Sequence, residues 1–175
     1  MVMSLSLSAF LTKPMKIEVY LLSLHAQKIF NFLLGESKQP LNISIQNSKG
    51  EEVKVIKPNN EIYRFTENML LGEGGYILYM LDEYWRYHSD KEIYEFSVTE
   101  IHFDNKSFLF IVQLSILIAV AQISGIDHLN DTHGLFKETK EDRVKIKDLL
   151  NLRVNSNTYS INESLKLFYS KMLLS

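Results

Sequence analysis

Residues 107–126 read SFLFIVQLSILIAVAQISGI, and none of these side chains carries a charge. A stretch so apolar has to be buried, because removing apolar surface from water is the main favourable term in folding. Ser107 can cap a helix and Gly125 can end one, which predicts a helix over residues 108–124. Its β-rich start also permits a strand after a hairpin turn at residues 104–107, and we favour the helix.

The same stretch is long enough to cross a bilayer, since about 20 residues at about 1.5 Å per residue span about 30 Å. A membrane-associated protein that spans at residues 107–126 is therefore one alternative. Lys106 is the only cation beside the stretch, which gives little anchoring. Lipid also offers no hydrogen-bond partner to the polar side chains inside the stretch, Gln113, Ser115, Gln122 and Ser124. We therefore predict a helix surrounded by the rest of the chain and no membrane contact.

The composition is that of one globular domain. The chain has 175 residues, of which 46% are hydrophobic and 23% are charged. It has no cysteine, which excludes disulfides and thiolate metal sites and fits a cytoplasmic protein. The net charge is −2, so the chain lacks the basic excess with which nucleic-acid binders displace counterions. We therefore predict a single domain over residues 1–175, a cytoplasmic location and no nucleic-acid partner.

Alternation of period two and helical spacing divide the first part of the chain into strands and a helix. Serines alternate with Leu5, Leu7 and Ala9, which predicts an edge strand rather than a leader peptide. Turn-forming residues at 47–50 predict a hairpin between two alternating runs. In order, we predict an edge strand at residues 4–9, a strand at 15–23 that could pair with it, a helix at 25–34 and a β-hairpin at 41–56.

Two further helices are predicted where apolar residues recur three and four positions apart. One covers residues 60–72. The other has a stripe formed by Ile77, Met80, Leu81, Tyr84 and Trp85. The glycines within residues 72–75 predict a flexible junction between these two helices.

The remaining elements complete an α+β pattern. Residues 92–103 alternate with a slip near Glu100, which predicts a strand with a bulge. Capping patterns that begin at Thr139 and Ser160 predict the last two helices. The predicted fold is a single α+β domain, in which N-terminal antiparallel strands and a hairpin pack with helices around a central buried hydrophobic helix.

The segment of residues 73–104 is acidic and rich in aromatic residues. It has eight acidic and two basic residues, and it holds the single tryptophan. Tyrosine and tryptophan are typical interface anchors, and a surface of one charge favours a partner of the opposite charge. The alternative is that the rings pack in the core and the carboxylates form a solvated face. The predicted partner-binding residues are Glu73, Asp82, Glu83, Tyr84, Trp85, Tyr87, Asp90, Glu92 and Glu95.

A second candidate site directly follows the charge-free stretch. Two imidazoles and two carboxylates could ligate zinc or iron there and serve a metal-dependent enzyme: Asp127, His128, Asp131 and His133. Their spacing matches no metal signature, and Asp and Asn side chains in such a segment typically satisfy backbone donors in a turn. No nucleophile with its base, and no pair of carboxylates, can be assigned elsewhere. We therefore predict binding rather than catalysis, with no metal and no cofactor.

Residues 117–131, LIAVAQISGIDHLND, combine an apolar helix, a small-residue turn and an acidic loop. This combination resembles bacterial immunity proteins of polymorphic and contact-dependent toxin systems. In several of those families an Ala-rich helix closes in a Gly turn before an Asp-containing segment, and Ser124-Gly125 stands here in place of the expected two glycines. The resemblance implies a single-domain α+β protein that neutralises a cognate toxin by occlusion, often through an acidic surface that faces a basic active site.

Overall fold

The structure is a computed structural model, and it describes residues 4–35, 41–58, 61–67, 75–102, 109–131, 136, 142–154 and 161–174. Its strands are β1 (Ser4–Leu11), β2 (Ile17–Glu18), β3 (Ile43–Gln46), β4 (Val55–Ile56), β5 (Ile62–Glu67), β6 (Gly75–Leu81), β7 (Tyr94–His102), β8 (His128–Asn130) and β9 (Arg143–Lys145). Its helices are α1 (Val19–Leu33), α2 (Glu83–Ser89), α3 (Leu109–Ile123), α4 (Ile146–Leu150) and α5 (Ile161–Leu174). This mixture of elements confirms the predicted α+β class.

Seven strands form one antiparallel sheet in the order β3-β5-β6-β7-β1-β8-β9, and β2 and β4 form a small second sheet. β1 lies in the interior of the large sheet, between β7 and β8. The prediction of an edge strand at the start of the chain is therefore wrong. The two neighbours of β1 come from distant parts of the chain, so no local pattern indicates them.

One face of the large sheet is covered by helices. Val98 lies opposite both Leu7 and Ile77 in the register, and all three side chains are buried. Helix α3 packs against β1, β7 and β8 on this side, while α1 packs against β3 and against α3. Because neighbouring side chains along a strand point to opposite faces, the alternate residues form the second face of the sheet.

Helix α3 is the centre of the core. Every side chain from Phe110 to Ala121 is buried, including Ser115, whose hydroxyl donates a hydrogen bond of 2.6 Å to the Ile111 carbonyl. Gly125 has a φ of 73° and ends the helix, and the following N–H donates to the Ala121 carbonyl at 2.8 Å. The predicted buried helix is confirmed. Among the described residues, none of the helices combines the length and the hydropathy that a membrane span needs.

Helix α1 replaces most of the strand predicted over residues 15–23. Only β2 is extended there, and it pairs with β4 rather than with β1. The buried stripe of α1 begins at Val19 and has a helical period through Leu22, Ala26, Ile29, Phe30 and Leu33. This period extends over the whole helix, whereas the alternation covers a few residues, so the longer pattern prevails. The helix predicted over residues 25–34 is confirmed but begins at Val19.

The helix predicted over residues 60–72 is wrong at residues 62–67, which form β5, and the helix predicted over residues 77–85 is wrong at residues 77–81, which belong to β6. β5 and β6 form an antiparallel hairpin, in which Tyr63 lies opposite Ile77. Apolar residues occupy both faces of β6, whose outward side chains are still half-buried. Such a continuous apolar run fits a helical and an extended period equally well. Gly75, the last residue of the predicted glycine junction, is the first residue of β6, and the rest of the junction lies outside the described residues.

Two local predictions in the sheet are confirmed. β3 ends in the predicted turn, where the Asn47 carbonyl accepts the Gly50 N–H at 3.0 Å. The returning chain then leaves β3 and pairs with β2 as β4, so the predicted hairpin forms only near its turn. The register of β1 and β7 slips between Leu5 and Leu7, which places the extra residue of a bulge in β7 beside Glu100.

The last two predicted helices are present. Phe168 lies on the buried stripe of α5, as its helical spacing predicts. Helix α4 is shorter than predicted, because Val144, expected on its stripe, belongs to β9. The predicted caps Thr139 and Ser160 lie outside the described residues.

Candidate partner-binding surface

Most of the predicted partner-binding residues lie within residues 82–95, named the acidic connection below. It joins β6 to β7 at one end of the sheet, where the end of β6 pairs with the start of β7. The Asp82 N–H donates to the Ile93 carbonyl at 2.7 Å, which closes the base of the connection. The Asp82 carbonyl accepts the Arg86 N–H at 3.2 Å, so α2 begins directly after Asp82. Asp82 is half-buried and contributes to this start of the helix.

Tyr87 lies on α2 with 84% of its surface exposed, more than any other large hydrophobic side chain among the described residues. Its ring meets the His88 ring edge-on, with 5.1 Å between the centroids. Glu83 lies on the same helix and is exposed, and its carboxylate is 3.8 Å from the Arg86 guanidinium. An exposed ion pair of this length contributes little to stability. Helix α2 therefore displays an aromatic ring and a carboxylate to solvent.

The acidic connection is negatively charged. It contains five acidic residues and two basic ones, Arg86 and Lys91. The exposed carboxylates are those of Glu83, Asp90 and Glu92. The Tyr94 hydroxyl donates to the Glu92 carboxylate at 3.2 Å, and partial burial together with this bond raises the pKa of Tyr94. Tyr94 therefore remains a neutral hydrogen-bond donor at neutral pH.

Glu95 belongs to a different surface from the other predicted residues. It lies on β7 and accepts a hydrogen bond of 2.6 Å from the Ser8 hydroxyl of the neighbouring strand. It is half-buried there, on the face of the sheet opposite α3. The predicted site residues Glu73, Tyr84 and Trp85 cannot be placed in this surface, because Glu73 and the side chains of the other two lie outside the described residues.

Two tyrosines on either side of Asp82 have opposite environments, one in the core and one at the surface. Tyr79 is fully buried, and its ring packs against that of Phe96 with 5.6 Å between the centroids. Its hydroxyl donates to the Met15 carbonyl at 2.8 Å and accepts the Met15 N–H at 2.9 Å. Burial raises the pKa of Tyr79. Both alternatives for the rings therefore occur, with Tyr79 in the core and Tyr87 in solvent.

The loop considered for metal binding uses its carboxylates in other ways. Asp127 points into solvent and is 2.9 Å from Nδ1 of His128, and this hydrogen bond lowers the pKa of Asp127. Asp131 is buried, and its Oδ2 accepts the Phe136 N–H at 2.8 Å. His133 lies outside the described residues, among which no three His, Cys, Asp or Glu side chains group as metal ligands would.

Part of the predicted turn is a strand, since β8 (His128–Asn130) pairs with β1 and β9. The side chain of Asp131 satisfies a backbone donor, as expected of turn chemistry. Residues 117–131 thus run from the apolar helix α3 through the glycine turn to β8 and Asp131. They place β8 in the large sheet, between β1 and β9.

One exposed apolar surface was not predicted from the sequence. It lies on the outer side of α1. Tyr20, Leu21 and Leu24 are exposed there although they are apolar. Their spacing of one and four positions falls outside the buried stripe of the helix. The helical spacing was present in the sequence, but the strand predicted over residues 15–23 took its place in the prediction.

Comparisons with known proteins identify no relative: no family model matches the chain, no curated protein matches its sequence and no solved structure matches its fold. The function of the chain therefore has to be inferred from its surfaces.

Proposed function

We propose that this protein is a non-enzymatic binding module of the immunity type, which occludes a basic site on a toxin partner in the cytoplasm. The observation that carries the proposal is the exposure of Tyr87 on a connection whose accessible carboxylates include Glu83 and Glu92. A large ring offers contact area at a low entropic cost, because it has few rotatable bonds. The resemblance of residues 117–131 to immunity proteins is consistent with this role.

The two kinds of residue have separate tasks in the proposed complex. Tyr87 would insert between side chains of the partner and contribute mainly to the lifetime of the complex, as buried aromatic anchors do. The carboxylates of Glu83, Asp90 and Glu92 would attract a cationic surface and accelerate encounter. Occlusion requires no reacting group, so the proposal is compatible with a site that consists of a ring and carboxylates.

The experiment is a calorimetric titration of the purified chain with the product of the gene beside its own, joined to a growth assay. We expect that product to inhibit growth when expressed alone and the chain to restore growth. We also expect Tyr87→Ala to weaken binding by about tenfold or more, the usual effect of removing an interface anchor. Tyr20→Ala is the matched control, because Tyr20 is also a largely exposed helical tyrosine, at 71%.

Two results would contradict the proposal. One is that the neighbouring product neither binds the chain nor inhibits growth. The other is that it binds equally well to the Tyr87→Ala and Tyr20→Ala variants. Urea unfolding of both variants separates a loss of binding from a loss of folding.

A further inference from the structure

A groove of about 350 Å³ lies along α1, beside the end of α3. Its apolar lining comes from two helices and a strand: Ile17, Leu21, Leu24 and Ile123. Lys16 and Lys28 line it as well, and both are exposed. A recess of this size is at the lower end of the range that small ligands or a few side chains fill.

The groove exists because α1 is apolar on two sides. Its inner stripe packs in the core, while Leu21 and Leu24 on the outer side are 52% and 42% exposed. Together with the adjacent Tyr20, they make up three of the six exposed large hydrophobic residues in the described part of the chain. Single exposed leucines are ordinary, but a cluster beside a recess is typical of an interaction site.

The walls of the groove are held in place by hydrogen bonds. Nε2 of His25 lies 2.7 Å from Oε1 of Gln122, which ties α1 to the end of α3. The Val19 N–H donates to the Lys54 carbonyl at 3.0 Å, which ties the start of α1 to the small sheet. A preformed recess lowers the ordering cost of binding.

The surroundings of the groove are positively charged. Lys16 and Lys28 face one acidic lining residue, Glu18. Lys57 directly follows β4, the strand that pairs with β2, and it is also exposed. An apolar recess with a positive rim is complementary to apolar side chains flanked by carboxylates.

We propose that this groove binds a short acidic amphipathic segment of a second protein partner. The segment inserts its apolar side chains against Leu21 and Leu24 and places its carboxylates beside the two rim lysines. The lining residues of α1 extend from Leu21 to Lys28, a rise of about 10 Å, which corresponds to about two turns of a docked helix. The site is of the opposite charge to the acidic connection and does not depend on the function proposed for it.

The shape of the groove favours a peptide over an anionic bilayer. Ile17 is 2% exposed and forms part of the lining, so a flat lipid surface does not reach it, whereas an inserted side chain does.

The experiment is a selection of random peptides displayed on phage against the full chain. Phage that also bind the Leu21→Ser/Leu24→Ser double variant are removed. Selected peptides are then synthesised with a fluorescent label and titrated by anisotropy. We expect the enriched peptides to be acidic and amphipathic, and Leu21→Ser and Lys28→Glu each to weaken their binding by about tenfold.

Matched controls are Leu167→Ser, an exposed leucine on α5, and Lys147→Glu, an exposed lysine on α4. These controls should bind like the parent chain, and urea unfolding should show that all variants are folded. Enrichment of basic peptides, or of peptides that bind the Lys28→Glu variant as well as the parent, would overturn the proposal. Vesicles of phosphatidylcholine and phosphatidylserine form a second arm, and vesicle binding that is lost in Leu21→Ser would overturn it in favour of a membrane surface.

Discussion

Helices α3 and α1 have the same length of 15 residues and pack against each other on the same sheet, yet they differ in what they leave exposed. All side chains of α3 from Phe110 to Ala121 are buried, so this part of the helix contributes stability and offers no surface. Helix α1 buries one stripe and keeps Leu21 and Leu24 at the surface. The difference shows that apolar residues of this chain lie both in the core and at the surface, and that only the structure separates the two groups.

Truncating one leucine in each helix should give the largest contrast. Leu117→Ala should lower the free energy of unfolding by about 2–5 kcal/mol, because it leaves a cavity among fully buried neighbours. Leu21→Ala should lower it by about 1 kcal/mol or less, since that side chain is half exposed. Urea unfolding measures both values. Similar losses in the two variants would mean that α1 and α3 are buried to a similar degree.

Tyr79 and Tyr87, on either side of Asp82, give the same contrast between a buried and an exposed side chain, with smaller expected effects. Tyr79→Phe should destabilise the chain by about 1–3 kcal/mol, because it leaves the Met15 N–H and carbonyl without their partner. Tyr87→Phe should leave stability unchanged, because its hydroxyl is in solvent. Thermal and urea unfolding of the pair test this, and equal stabilities would show that the Tyr79 bonds contribute nothing.

The same tyrosine predicts a small pH effect. Burial raises the pKa of Tyr79 in the folded chain, so folding favours its neutral form. The resulting stabilisation is complete below the unfolded pKa of about 10 and is lost as pH rises above it. The difference in unfolding free energy between the parent and Tyr79→Phe should therefore shrink from pH 9 to pH 11. A constant difference would contradict the raised pKa.

The sequence predicted features that local patterns determine. The charge-free stretch was predicted as a buried helix, and Gly125 marked its end. The turn at Asn47 and the bulge near Glu100 were also predictable, because turn residues and a break in alternation are local signals.

Other features depend on contacts that no local pattern contains. β1 pairs with two strands that lie far along the chain. β6 is apolar on both faces, so its hydrophobic pattern fits a helix as well as a strand. The sequence did not indicate whether Tyr87 is buried or exposed, because the same aromatic segment also contains the buried Tyr79. The groove on α1 required the helix to be known first, because Leu21 and Leu24 lie on its surface only in a helical conformation.

The central claim, that the acidic connection binds a cationic partner, is tested most directly by the association rate measured in stopped flow. The product of the neighbouring gene is mixed with the parent chain, with a Glu83→Lys/Glu92→Lys variant and with Asp148→Lys, which reverses an exposed carboxylate on α4. At low ionic strength the double variant should associate about tenfold or more slowly, and added salt should reduce the difference, because steering depends on the sign of the surface field. Equal association rates for the parent and the double variant at low salt would contradict the claim.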